Sequence, residues 1–384
     1  MLTNAPAHYR VPIFTRLAAE PGVEARVFFD GAPAAANEPA LGFPHERLPS
    51  LGWRSRNYQD RGREAERLPV RITWSQLPRL AAFRPDVLVS GEFGWRTLQA
   101  AIHAAAAGIP LLVWWEGTPF TEQHAGAARR ALRRWLAARA TALLGFGSGS
   151  VDYLASIAAG RPIHRVPQPV DNDRIARETD RWRADRESVR AALGVRGTAL
   201  VCVSRLVAPK GIRELLHAAA RLRQRAPAGA FTLVLAGDGP LRGEAERAAA
   251  QLGGDVAVLG AVSQDELPRL LAAADLLVFP TLHDCWGMVV NEALAAGIPV
   301  LGSRYAGACA ELLTHDGVGC RFDPLDPASF DHALSGAVLE GRFRGAAAAD
   351  VRRAVSGHTF DAAARAILDA ARGCLAGSLS AAPA

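Results

Sequence analysis

Two α/β domains, each built on a parallel sheet, are what this 384-residue sequence predicts, on three observations. Strand-like apolar runs alternate with helix-period segments along most of the chain, which calls for βαβ units. The alternation falls into two series separated by RVPQPVDNDR, Arg165 to Arg174, a stretch with two prolines and no apolar period. The length exceeds what one ordinary core organises, while each half is long enough to bury its own. The expected domains are therefore Rossmann-like, joined by a hinge at that stretch.

Each element has its own warrant. VEARVFFD, DVLVSGEF and PLLVWWEG are runs of strand length rich in β-branched and aromatic residues, with a helical period near Arg96 to Ala107 between the last two. The second series runs ALVCVSRL, a helix over Ile212 to Arg225, FTLVLAGDG, a helix over Leu241 to Leu252, VAVLG, a helix near Asp265 to Ala274, LLVFPT, a helix over Gly287 to Ala296, and PVLGS. Thr359 has the side chain of an N-cap and opens a last helical pattern reaching about Cys374, before a Gly/Ser/Ala tail expected to be disordered. The expected boundaries are 1–167 for the first domain, 168–355 for the second, and 356–384 for a helix packing back toward the first domain plus the tail. If NAPAHYR is the loop after the first strand, only Met1 to Thr3 remain for that strand, where five or six residues are usual. We therefore expect the natural chain to begin earlier, which an in-frame stop codon just upstream would refute.

Composition excludes several classes. A hydrophobic fraction of 49% with ordinary Gly, Pro and charge is that of a globular protein. The net charge of +6 points weakly to an anionic partner, because Arg and Glu interleave along most of the chain. Five cysteines lie outside any CxxC spacing and are absent from the first half, which argues against a disulfide framework or zinc site and fits a reducing cytoplasm. MLTNAPAHYRVP lacks the regions of a signal peptide, and Ala100 to Trp115, the longest apolar stretch, is interrupted by His103, Gly108 and Pro110.

Two places carry chemistry. In SRLVAPKGIREL, Lys210 is the only lysine among 44 basic residues. Arg205 ends a strand and Lys210 with Gly211 is expected to open the next helix, so two cations sit at the positive end of a helix dipole. An anion meeting them there makes sense of both, and strand-loop-helix turns with amides and cations are phosphate sites. Solvated loop charges are the plain alternative. In HDCWGMVVNEALAAGIPVLG, the helix from Gly287 is apolar around nearly its whole circumference, yet holds Glu292. A buried carboxylate needs donors, either from a resident ion-pair partner or from the vicinal hydroxyls of a ribose. Asp284, at the same strand end, is placed to grip a second polyol.

Those segments, with LAGDGPL, VLGAVSQDEL and DCWGMVVNEALAAGIPVLGSRYAG, resemble the donor-binding half of glycosyltransferase family 4, retaining enzymes of the GT-B fold. The likeness covers the second domain in order and spacing. It is looser in the first, through NAPAHYRVPIF, GIPLLVWWEG and PVDND. The resemblance implies two Rossmann-like domains facing each other across a cleft that closes about the hinge. By it, Arg205 and Lys210 hold the nucleotide diphosphate, Glu292 takes the ribose hydroxyls, and Val262 and Ser263 line the base. Trp286, Gly287 and Met288 offer amides to phosphate and sugar, and Asp284 holds sugar hydroxyls. Asp284 stands where the family has the first of two glutamates, one methylene shorter. A histidine often found after the strand following GIP is missing, with Glu116 near its place as either a sugar contact or a local hydrogen-bonding group.

Other signals are weaker. GDGPLRG has one residue too many for a dinucleotide fingerprint. Asp171 to Asp173 resembles a metal-binding pair but lies in the hinge, so no metal is expected. Gly145, Gly147 and Gly149 precede a helix and suit either an anion or, more ordinarily, a flexible turn. Of the eight tryptophans, Trp53, Trp74, Trp95, Trp114, Trp115 and Trp135 fall in the first domain, mostly as expected core, with some available to stack on a sugar acceptor. Arg129, Arg130, Arg133, Arg134 and Arg139 with Leu132, Trp135 and Leu136 form a basic amphipathic pattern that suits either solvent or anionic lipid. His8, Tyr9 and Arg10 follow the first strand, where parallel sheets present ligand residues, and suit either an acceptor or phosphate contact or the stabilising of a turn.

The expected function is hexosyl transfer from a nucleotide-diphosphate sugar, UDP- or GDP-linked, to the hydroxyl of a sugar, lipid-linked or small-molecule acceptor, in glycan, glycolipid or secondary-metabolite glycosylation. Anomeric configuration is retained, without cofactor, metal or nucleic acid, in the cytoplasm or at the inner membrane face. The rivals are a non-catalytic sugar-nucleotide-binding relative and a basic adaptor for membrane or nucleic acid.

Overall fold

The computed structural model describes residues 1–4, 7, 9–30, 41–56 and 67–377, with 53–56 and 67–71 described by backbone alone. The chain forms two compact units, Met1–Gln168 with the segment from Thr359 onward, and Pro169–His358.

The first unit holds β1 (Leu2–Thr3), α1 (Val11–Ala19), β2 (Val27–Asp30), β3 (His45–Leu48), β4 (Ser50–Arg56), β5 (Arg67–Thr73), α2 (Gln76–Phe83), β6 (Leu88–Gly91), α3 (Trp95–Ala107), β7 (Leu111–Trp115), α4 (Pro119–Glu122), α5 (Ala127–Ala137), β8 (Ala142–Phe146), α6 (Ser148–Ala155) and β9 (Ile163–Val166). Seven strands make one sheet in the order β3-β2-β1-β6-β7-β8-β9, while β4 and β5 pair separately as an antiparallel ribbon. The pairings in the large sheet are parallel, so both of its faces must be covered. Strand β7 shows this directly. Its Leu111, Val113 and Trp115 pack with α2, α3, α5 and α6, while Leu112 and Trp114 pack on the opposite side with α1.

The second unit holds α7 (Asn172–Arg183), α8 (Arg186–Ala192), β10 (Thr198–Val203), a 3-10 turn (Ala208–Lys210), α9 (Ile212–Arg225), β11 (Phe231–Ala236), α10 (Arg242–Gln251), β12 (Val256–Gly260), α11 (Leu267–Ala273), β13 (Leu276–Phe279), α12 (Met288–Ala296), β14 (Val300–Ser303), α13 (Gly307–Leu312), β15 (Gly319–Phe322), α14 (Pro327–Val338) and α15 (Ala348–Arg353). Its six strands are parallel, in the order β12-β11-β10-β13-β14-β15. From β10 the chain winds first toward β11 and β12, then returns to β13 on the other side. The sheet therefore reverses direction between β10 and β13, and a crevice forms outside the carboxyl ends there.

The last helix, α16 (Phe360–Leu375), is capped by Thr359, whose hydroxyl accepts from Ala362 N at 3.1 Å. It returns to the first unit, where Phe360, Ala363, Ala364 and Ile367 join the core beside α1.

Two sequence expectations need correction here. The hinge is shorter than 165–174, because Arg165 and Val166 end β9 and Asp171 caps α7 by accepting from Arg174 N at 3.0 Å. Prolines hide the period of a short strand and a cap, which is why the whole stretch looked irregular. The tryptophans of the first unit are not mostly core: Trp114 and Trp115 are buried, whereas Trp74, Trp95 and Trp135 are exposed. The side chain of Trp53 lies outside the described residues.

Candidate functional site

The loops after β10 and β13 meet at the reversal point of the second sheet. Pro209 O accepts from Leu282 N at 2.8 Å and from Thr281 Oγ1 at 3.2 Å. Gly211, at φ 70°, closes the 3-10 turn so near Pro280 O that a Cβ would overlap it. Across this laced junction Lys210 Nζ lies 2.5 Å from Asp284 Oδ2, with both side chains mostly buried.

Lys210 closes the 3-10 turn and directly precedes Gly211, the N-cap of α9, so it stands at the positive end of that helix as expected. The anion that meets it is the chain's own Asp284. An ammonium has three donors and a carboxylate about four acceptor positions, so both groups retain capacity toward phosphate or hydroxyl.

Asp284 also fixes the turn that follows. Its Oδ1 accepts from Trp286 N at 3.2 Å, so that amide already has a partner and differs from the phosphate donor expected of it. Gly287, at φ 103° and against the Phe279 ring, then admits the chain to α12. Met288, the first helical residue, is half-buried.

One turn further on, Glu292 is 7% exposed. Burial pushes its carboxyl up to about 7, against the opposing pull of a hydrogen bond with Gln264 and the charge of Arg174. Gln264 directly follows Val262 and Ser263, so the Glu292 carboxyl adjoins the loop after β12. Ser263 has a local task as well: its N–H and hydroxyl both donate to Glu266 Oε2, at 2.9 and 2.7 Å, in the turn that leads into α11. Arg205, two residues past β10, is exposed at the same edge of the sheet. Its loop lies against the loop after β11, where a Cβ on Gly237 would overlap Ser204 O and one on Gly239 would meet Leu206 O at 2.5 Å. Those glycines thus serve loop packing, not a dinucleotide fingerprint.

The first sheet reverses between β1 and β6, and a polar pair spans that point too. Asn4 Nδ2 donates to Glu92 Oε1 at 2.8 Å, and Glu92 has a left-handed φ of 69°, rare for glutamate. Arg10 is buried: it donates to Glu116 Oε1 at 2.5 Å, lies 4.7 Å from the Trp114 ring centroid and 5.6 Å from that of Tyr9. Its guanidinium orients Glu116, whose side chain is 23% exposed. Tyr9 is half-buried, and His8 lies outside the described residues.

Sequence reasoning missed Gln264, Arg174, Asn4 and Glu92. Only their positions in loops that follow strands or at the start of α7 mark them, and those positions matter only once the strand order is known. It also misassigned the face of α5. Arg133 is buried against Glu122, Trp115 and Tyr153, whereas Leu132 and Trp135 are 38% and 40% exposed and Arg139 stacks on Trp135 at 3.5 Å. The glycines of GFGSGS answer to packing: Gly145 presses on Val151, Gly149 on Thr118, and Gly147 turns at φ 86°.

Comparison with known proteins bears on the family and the fold. Residues 7–169 match the glycosyl transferase 4-like domain and residues 197–338 the family described as glycosyl transferases group 1. The chain is 28% identical over 290 residues to the 2-deoxystreptamine glucosyltransferase of Streptomyces kanamyceticus, 64% of this chain and 73% of that one. It is 33% identical over 165 residues to the GDP-mannose-dependent alpha-(1-6)-phosphatidylinositol monomannoside mannosyltransferase of Mycolicibacterium smegmatis, 41% of this chain and 42% of that one, so this match spans less than half of the relative. Among solved structures, Anabaena HepE in complex with UDP superposes with a TM-score of 0.72 at 19% identity, over 98% of this chain and 99% of HepE. Sucrose-phosphate synthase from Thermosynechococcus elongatus superposes with 0.69 at 16% identity, over 96% and 92%. With both halves matched in order and the sheets wound as two Rossmann-like units, the chain belongs to the family 4-like, group 1 glycosyltransferases and has the GT-B fold.

Proposed function

We propose that this glycosyltransferase moves a hexosyl group from a nucleoside-diphosphate sugar to an acceptor hydroxyl, with retention of anomeric configuration. The observation that supports this most is the Lys210–Asp284 pair at the reversal point of the second sheet, beside a helix that buries Glu292.

In this reading Lys210 and Arg205 take the diphosphate and stabilise the charge that grows on it as the sugar departs. The amides at Gly287 and Met288 add fixed dipoles at the start of α12. Asp284 holds Lys210 in place and accepts from sugar hydroxyls through its remaining lone pairs. Glu292 and Gln264 receive the ribose, with Val262 and Ser263 beside the base. A departing phosphate oxygen takes the acceptor proton, so no protein base is required. The donor is a UDP- or GDP-sugar: HepE is solved with UDP-glucose, whereas several relatives are named as GDP-mannose-dependent.

The acceptor belongs to the carboxyl edge of the first sheet, where Tyr9, Glu116 and the buried Arg10 behind it converge, with His8 in the same segment. The named relatives act on an aminocyclitol and on a glycolipid, and a polyhydroxyl acceptor suits carboxylate and hydroxyl side chains. The exposed Leu132 and Trp135 among arginines add peripheral contact with an anionic, cytoplasmic membrane face. No helix among the described residues is long and apolar enough to cross a membrane.

Thermal melting with UDP-, GDP-, ADP- and TDP-sugars tests the donor, since a ligand of the native state raises the midpoint. A rise with one nucleotide series, and a product of retained configuration by NMR, is the expected result. A flat response to all four ends the donor reading, and binding without transfer or hydrolysis ends the catalytic one.

A further inference from the structure

Trp286 is buried, at 4% exposure. Its indole N–H donates to Asn291 Oδ1 of α12 at 2.8 Å, and its carbonyl accepts from Ala308 N of α13 at 3.0 Å. One face of the indole meets the ring of His358, with centroids 5.6 Å apart and planes 29° from parallel. His358 is itself 8% exposed, far along the chain from the 284–288 turn. Its Nε2 stands 3.5 Å from Glu311 Oε1, a buried carboxylate of α13. Its carbonyl accepts from Asn172 Nδ2 at 3.3 Å, and the same amide donates to Val355 O at 3.0 Å. The imidazole is thus fixed at one end by α13 and through its backbone by the start of α7.

We propose that His358 is a positioning residue of the donor site. Its flat ring forms the wall against which Trp286 rests. Trp286 N in turn holds Asp284 Oδ1, and Asp284 Oδ2 holds Lys210, so the sequence of contacts runs from His358 to the lysine in three steps. A small or flexible side chain at 358 leaves the indole free to tilt, and the 284–287 turn loses its fixed place. The inference rests on the donor reading above, because a turn that binds no diphosphate has nothing to position. From His358 the chain runs directly into Thr359, the cap of α16.

Three variants separate this role from simple packing. His358→Phe keeps the ring and drops the contact to Glu311. His358→Asn keeps a polar end and drops the ring, and His358→Ala drops both. The expected result is that Asn and Ala lower kcat/KM by roughly ten- to a hundredfold, mainly through donor KM, as for other supporting groups behind a ligand contact. Phe should restore donor KM to within about threefold of the parent, less than half of one tenfold step of 1.4 kcal/mol. The proposal is overturned if Asn has the parent's donor KM, or if Phe is as impaired as Asn.

Indole emission, taken as the difference between each protein and its Trp286→Phe counterpart without any donor, supplies an independent readout. A red shift in the Asn variant and none in the Phe variant is expected, and equal spectra overturn the proposal even if Ala fails to fold. Lys210→Ala measured alongside keeps the two readings apart. Parent-like kcat and donor KM together in that variant refute the donor reading, while the emission test still reports on the His358 contact.

Discussion

Lys210 Nζ and Asp284 Oδ2, 74 residues apart in the chain, stand 2.5 Å from each other where the second sheet reverses direction. Each side chain is mostly buried, at 16% and 19% exposure, so the pair is shielded from much of the screening that weakens surface ion pairs. It ties the loop after β10 to the loop after β13, and both loops carry residues of the proposed donor site.

Lys210→Ala should keep the fold and lower kcat by about 10²–10³, the usual cost of removing one preorganised donor to a departing anion. Stability should fall by roughly 1–3 kcal/mol, because Asp284 loses its charged partner. In the Lys210→Ala, Asp284→Ala double variant the stability losses should add to less than their sum, while activity stays lost. Urea melts and turnover with an established donor measure both. Parent-like turnover by Lys210→Ala refutes the phosphate role.

Glu292 should make stability fall with rising pH. Its carboxyl goes from an ordinary 4.5 up to about 7 in the folded chain. Between those values the folded state binds the proton that the unfolded state has released, so stability is greatest below 4.5 and declines until about pH 7. The displacement corresponds to roughly 3 kcal/mol. Glu292→Gln should remove this part of the slope in melts from pH 4.5 to 8. Ribose hydroxyls donate to the charged carboxylate, so donor binding should also release a proton near neutral pH, which calorimetry in buffers of different ionisation heat detects.

Gly237→Ala should disturb donor binding without touching a ligand. A Cβ there overlaps Ser204 O, so the loop bearing Arg205 must move. Overpacking of this kind costs about 1–3 kcal/mol. A lower urea midpoint together with a raised donor KM is expected, and an unaltered KM separates Arg205 from the site.

On α5 and just past its end, reversing Arg134 and Arg139 to glutamate should abolish flotation with vesicles containing anionic lipid. Each arginine near such a surface is worth about 1 kcal/mol, and the effect should weaken with added salt. Trp135→Ala should reduce binding as well. Equal flotation with purely zwitterionic vesicles, or none at all with anionic ones, refutes membrane contact. Donor binding should be unaffected in each variant.

Local pattern made much of this molecule legible. The helix Ile212–Arg225 appears with the bounds its 3.6-residue period suggests, and the parallel strands announce themselves as short apolar runs because both faces are covered. Glu292 stood out for the same reason, as a charge inside a helix with no polar face. Lys210 stood out as the chain's one lysine, but its counter-ion is 74 residues away and no local period carries that information.

The amino-acid sequence by itself determined the two α/β units, the buried helix around Glu292 and the family-like motifs, because each is written in the spacing of residues close along the chain. Only tertiary structure decided that Asp284 answers Lys210, that Arg133 turns inward while Trp135 turns out, and that His358 backs Trp286. Strand order and helix rotation set those partnerships by bringing distant residues to one edge or one face, and the composition of a short segment does not encode which face meets which.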